Sequence, residues 1–165
     1  MSQNGPNGKM SIGSLQNLLA DWGNIEYCVP AAFTGATGNS RGDKDGSLAS
    51  FPLFTVTGDV IIRLFGVCTV DLAGASGTVE VGTVLSTANI IAQTTATDLD
   101  AGDLWHDNSP DNNVELDTVA AKKFLVNGAT IKEKVATTDI ASGNIYYVCG
   151  WYPLSYDGMV KSAVV

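Results

Sequence analysis

The sequence predicts an all-β protein, a single β-sandwich of jelly-roll type with a flexible N-terminal arm and one short helix. Three observations predict it. Segments rich in Val, Ile, Thr and aromatic residues, alternating or continuous, recur along most of the chain. Gly, Asn and Ser turn signals separate them at short intervals. Only one stretch has helical spacing, so the sheets have mainly each other to pack against. The expected division is arm and helix over residues 1–23 and sandwich over 24–165.

The first 13 residues are dominated by Gly, Asn, Ser and Gln, the composition of a flexible arm. In "SLQNLLADWG", Leu15, Leu18, Leu19 and Trp22 fall at i, i+3, i+4 and i+7, one apolar stripe on a short helix. Ser14 stands as its N-cap and Gly23 as its stop. The stripe can pack on the domain's own body, or dock with the arm onto a neighbouring subunit. These four residues are the candidate partner-binding set.

Strands are expected from Tyr27 onward. "EYCVPAAF" is a short extended run, followed by a polar loop over residues 34–50. "FPLFTVTG" ends at Gly58, and "DVIIRLFGVCTVDL" is nearly continuous in apolar residues, as a strand buried on both faces would be. Arg63 is its only interior charge. "GASG" reads as a turn, and "TVEVGTVL" sets Val79 and Val81 opposite Thr78 and Glu80. "ANIIAQTTATDL" adds another strand. Asn127-Gly128, between two alternating runs, predicts a hairpin with a type I′ turn. Ser142-Gly143 turns the chain into "NIYYVCGWYPL", which places Ile145, Tyr147, Cys149 and Trp151 on one face.

The totals narrow the function classes. A chain of 165 residues fits one full-sized domain and buries enough surface to need neither disulfide nor metal. A net charge of −8 with nine scattered basic residues argues against nucleic-acid and acidic-membrane partners. Cys28, Cys68 and Cys149 are an odd number without CxxC spacing, and read as reduced core residues. The N-terminus lacks the pattern of a signal peptide, which fits synthesis in a cytoplasm.

"TGATGNSRGDKDGS", residues 34–47, matches three motifs at once. Gly38-Asn39-Ser40-Arg41-Gly42 fits a hydrolase nucleophile elbow, but no helix follows it and no strand–helix alternation surrounds it. Arg41-Gly42-Asp43 spells an adhesion tripeptide, and Asp43-Lys44-Asp45-Gly46 suggests a calcium loop. An EF-hand register would put Arg41 at the first ligand and Pro52 at the bidentate position, which excludes it. The stretch reads as a polar loop. A second stretch gathers Asp98, Asp100, Asp103, Asp107 and Asp111 around His106, the sole histidine. It fits no metal-loop spacing and reads as a solvated acidic loop with Leu104 and Trp105 pointing inward. One histidine leaves little room for zinc or triad chemistry. The expectation is no enzyme, with no catalytic, metal or cofactor residues. Trp105, Trp151, Tyr146, Tyr147, Tyr152 and Tyr156 could stack on sugars, but strand alternation puts roughly half of these rings in the core, where they serve packing; a Tyr cluster at one end could also form part of a protein interface.

"FPLFTVTGDVIIRLFGVCTVDLAG", "GTVEVGTVLSTANIIAQTTATDLDAGDLW" and "GNIYYVCGWYPLS" resemble small β proteins of tailed-bacteriophage capsid gene blocks. The resemblance covers most of the chain, from about Phe51 to Val160. It implies a decoration protein on the outer capsid surface of the virion, binding the major capsid protein and self-associating as a homotrimer. A head-fibre or tail adhesin, or a carbohydrate-binding module for host attachment, shares the fold class and stays open.

Overall fold

The structure, a computed structural model, describes residues 23–35, 38–112 and 122–164. The predicted helix, with Leu15, Leu18, Leu19 and Trp22, lies outside the described residues. Among those described, the helical segments are two 3-10 turns, Ser47–Ala49 and Ala96–Asp98. The rest is built from strands: β1 (Asn24–Cys28), β2 (Ser50–Thr57), β3 (Asp59–Ala73), β4 (Thr78–Thr83), β5 (Ser86–Thr95), β6 (Asp103–Trp105), β7 (Asp111–Asn112), β8 (Phe124–Asn127), β9 (Thr130–Ala136), β10 (Ser142–Pro153) and β11 (Met159–Ser162). They form two antiparallel sheets. Sheet I runs β1-β10-β3-β6-β7, with β8 also paired to β3, and sheet II runs β11-β2-β9-β4-β5. The all-β sandwich architecture follows.

Period-two alternation aims one set of side chains from each sheet at the other. Val60, Ile62 and Leu64 of β3 face Val79 and Val81 of β4 and Ile131 and Val135 of β9 within one buried core. Each fully buried large side chain contributes roughly 1.5–3 kcal/mol relative to exposure. The registers align inward residues into cross-strand rows. One row in sheet I is Cys28–Tyr147–Gly66–Trp105. One in sheet II is Phe51–Glu133–Val81–Ile91. Gly66 is required by its row. A Cβ there would lie 2.9 Å from Ile145 Cγ2 and 3.2 Å from the Trp105 ring. Its absence lets the tilted rings of Trp105 and Tyr147 approach to 6.3 Å between centroids.

Several local expectations are corrected. Asn127-Gly128 is no hairpin, because β8 pairs in sheet I with β3 while β9 pairs in sheet II with β2 and β4. The dipeptide carries the chain between sheets, and only Gly128 takes a positive φ, +42°. Ser142-Gly143 starts β10 as a bulge, with Gly143 at φ +111°. In β2, an irregularity between Pro52 and Phe54 lets both Leu53 and Phe54 bury. In β3, alternate residues such as Ile61, Phe65 and Val67 are only half-buried, so its apolar run is not enclosed on both faces.

Sheet I has a divided edge. Strand β10 pairs with β3 from Val60 to Ala73, so both β6 and β8 must occupy the opposite side of β3. Trp105 lies opposite Gly66, and Phe124 opposite Ile62.

The registers also define two ends. At the near end, Thr57 pairs with Met159, Thr83 with Ser86, and Val60 with both Pro153 and Val126. The turns at Gly58, Val84-Leu85, Gly128-Ala129 and Leu154–Gly158 gather there. Asn24 pairs with Trp151, so the chain also enters β1 at this end. The long 29–49 loop closes the far end, beside the turns at 74–77 and 137–141.

Candidate functional site

The far end is closed from within. Arg41, shared by the elbow and adhesion matches, is 3% exposed rather than on a polar loop surface. Its Nε donates to Glu133 Oε1 at 2.9 Å and its Nη2 to Glu133 Oε2 at 2.6 Å, a bidentate fork. Nη1 donates to the Ala31 carbonyl at 2.7 Å and to Asn144 Oδ1 at 3.1 Å. The guanidinium lies 3.8 Å over the centre of the Phe33 ring. Tyr147 Oη donates to Glu133 Oε2 from the opposite sheet. Glu133 itself is fully buried.

The electrostatics match this geometry. Burial opposes the Arg41 charge, but the charge and hydrogen bonds of Glu133 outweigh it and hold the guanidinium above its ordinary pKa. Burial first, and then the Glu133 charge, push the Tyr147 phenol well above its ordinary range, so it stays a donor. Loop, sheet I and sheet II are thus tied at one point by groups whose hydrogen-bonding capacity is used.

The burial of Arg41 disposes of the adhesion reading, since the tripeptide cannot present its arginine without undoing the core. Asp43 instead shapes the loop: its Oδ1 accepts from the amides of Asp45 at 3.0 Å and Gly46 at 3.1 Å. Those bonds hold its carboxyl below the ordinary value.

The acidic segment is not simply solvated. Asp103 and His106 are buried. Asp103 Oδ2 accepts from the Asp100 amide at 2.9 Å, and Asp71 Oδ1 from the Ala101 amide at 2.7 Å. His106 has Asp107 Oδ2 and Asp111 Oδ2 each at 3.5 Å from a ring nitrogen. Trp105 points inward and donates to Thr94 Oγ1 at 2.8 Å. Leu104, its neighbour on a strand, must point outward, contrary to expectation. No group of three or more His, Cys, Asp or Glu among the described residues could hold a metal ion. Cys28, Cys68 and Cys149 are free and buried.

The near end has the opposite character. Val84, Leu85, Leu125, Leu154, Tyr156 and Met159 all expose apolar surface there, Leu85 at 94% and Leu125 at 76%. Between the β4–β5 turn and residues 124–129 lies a shallow depression of about 260 Å³, lined by Leu85, Ile90, Phe124 and Val126 among others. Its lining carries amides and hydroxyls but no ionisable side chain. Chemically, this end can bind an apolar protein surface.

Reasoning from the sequence passed over Glu133 and Arg41. A signal was present: Glu133 shares its parity with Ile131 and Val135 in β9, whereas Lys132 and Lys134 take the other face. A comparison with protein-family models finds no match, and comparisons with curated proteins and with solved structures find none either.

Proposed function

We propose that the protein is a non-enzymatic virion structural protein, a homotrimeric decoration protein that binds the major capsid protein and stabilises the outer surface of a phage capsid. The observation that carries this reading is the division of labour between the ends. The far end is locked by a saturated polar cluster, and the near end displays apolar turn tips around a depression without ionisable groups. A rigid body with one adhesive end suits repeated attachment to a lattice, where weak contacts gain from multiplicity. Isolated apolar residues on a surface are ordinary, but six gathered at one end mark an interaction site.

The strand order supports the finer reading of a jelly roll. The pairs β1/β10, β2/β9, β3/β8 and β4/β5 are nested, first with last. Winding such a nested ribbon gives the two sheets of that fold.

The deciding experiment is quantitative mass spectrometry of purified particles from the source, referenced to the major capsid protein. Copy number comparable to the capsid subunit is expected. A handful of copies would favour a fibre or tail adhesin instead, and absence from the particle would end the virion reading.

A further inference from the structure

Two of the turns at the near end differ in shape: one holds a side chain out, and the other frames a hollow. The turn over residues 154–158 joins β10 to β11 and is fixed from within. Ser155 Oγ accepts from the Asp59 amide at 2.8 Å and donates to Asp157 Oδ1 at 2.7 Å. The Leu154 amide donates to the Asp59 carbonyl at 2.8 Å, and the Gly158 amide to the Ser155 carbonyl at 3.0 Å. At the tip stands Tyr156, fully exposed, with Leu154 and Met159 exposed beside it. A braced turn that displays a bare aromatic ring has the form of an anchor, because little backbone ordering remains to be done on binding.

The hollow lies across the near end. Sheet II runs β11-β2-β9-β4-β5, so the 154–158 turn and the Val84-Leu85 turn stand at its opposite edges, about 19 Å apart by four strand spacings. The depression of about 260 Å³ beside Leu85 offers Ile90, Phe124 and Val126 to a ring, and the amides of Asn89 and Asn127 to a phenol. A second depression of about 360 Å³ adjoins it across Leu85 and Asn127, and its lining adds Lys132.

We propose that copies of this chain join head to tail, with Tyr156 of one copy seated in the depression beside Leu85 of the next and Asp157 facing Lys132. An apolar hollow with a few uncharged polar groups matches a tyrosine, which has an apolar body and one polar tip. The charges match as well, since the exposed Asp157 follows Tyr156 and Lys132 adjoins the hollow. The separation keeps a copy from filling its own hollow. Knob and hollow on opposite edges are the two halves of a heterologous contact, which can close into a ring.

Size makes closure necessary. A tyrosine anchor buries about 150–250 Å², well short of the ~800 Å² per partner of a stable pair. One contact is therefore weak, but in a ring each copy is held at both its knob and its hollow. Reciprocal pairing of two near ends would cover the surface that the proposed function leaves to the capsid. The inference rests on that reading for a ring of three copies.

The test is light scattering after size exclusion of the full chain, over a concentration series without capsid. The unmodified chain should pass from monomer to trimer with little dimer. Tyr156→Ala and Lys132→Glu should each raise the concentration for half assembly about tenfold or more. Tyr156 is solvated, so its removal should leave the melting temperature of the monomer unchanged. An unmodified chain that stays monomeric or stops at a dimer overturns the proposal, as do variants that assemble unimpaired. Mixing Tyr156→Cys chains with Leu125→Cys chains under mild oxidation gives a second readout, because the native thiols are buried. Disulfides between the two variants support the contact, whereas Tyr156→Cys chains linked to each other, or no bond, overturn it. Neither readout involves capsid, so failure here is distinguishable from absence of the protein from particles.

Discussion

At the far end of the sandwich, a charged loop residue has been drawn inside; at the near end, apolar residues have been left outside. Arg41, Glu133 and Tyr147 are bonded to one another in the interior, while Leu85 of the β4–β5 turn and Leu125 of β8 stay exposed at the opposite end. Hydrophobicity alone would assign both groups wrongly. Capacity for satisfaction decides the first case, because a bidentate acid–guanidinium pair with carbonyl, amide and phenol partners leaves little unmet polarity. The second persists because the Val84-Leu85 turn has no interior into which its tip could fold, and strand alternation turns Leu125 of β8 away from the core.

The largest effect should come from breaking the far-end lock. Glu133→Ala leaves Arg41 charged and buried without its partner, and should cost about 3–5 kcal/mol in urea denaturation. Arg41→Met combined with Glu133→Leu removes both charges and should lose clearly less than the two single changes summed. A strictly additive result would show that the pair does not act as a unit.

Next comes the row beneath that lock. Gly66→Ala forces a methyl against Ile145 and Trp105 and should destabilise by about 1–3 kcal/mol. Loss of near-ultraviolet dichroism from Trp105 should accompany it. An unchanged midpoint would mean that the two rings have slack.

Alkaline pH tests the same interior through its protons. Burial pushes the Cys68 thiol from 9.0 up to about 11 and Cys149 up to about 12, and lifts Tyr147 above its ordinary 10.0. Above pH 9 the unfolded chain releases these protons while the folded chain keeps them. Stability is therefore complete below that pH and falls as pH rises towards about 11 and beyond. Thermal melts between neutral pH and pH 11 should show it, and a flat profile would contradict the burial of these groups. The thiols should also resist aromatic disulfide reagents at neutral pH until the protein unfolds.

The near end should give the smallest stability change and the largest functional one. Leu85→Ser with Leu125→Ser should alter unfolding free energy by less than about 1 kcal/mol, since both side chains are already solvated. Binding to capsid shells should nonetheless fall. If stability drops while binding survives, the two ends have been assigned the wrong way round.

Much of the fold was legible because period two is a local property. Ile145, Tyr147 and Cys149 fall on one face, as their spacing predicts, and Val79 and Val81 on another. What pairing decides was not legible. Asn127-Gly128 carries the residues of a hairpin, yet its flanking strands join different sheets, a choice made by β3 and β2 rather than by the turn. Arg41 could not be located from its neighbours, because its side-chain hydrogen-bond partners Glu133 and Asn144 lie 92 and 103 residues away in sequence. The near-end tips were visible as residues but not as a group, since four separate turns supply or frame them.

The divided edge of sheet I carries a consequence for how this chain can vary. Strands β6 and β8 are anchored independently to β3, only about 13 Å apart along it. Between Asn112 of β7 and Phe124 of β8 the chain starts and ends at fixed posts, and the entropy of closing such a span rises only by about 0.6 kcal/mol with each doubling of its length. The edge is therefore a natural port: sequence can be lengthened, shortened or replaced there while the registers on either side keep the sandwich in place.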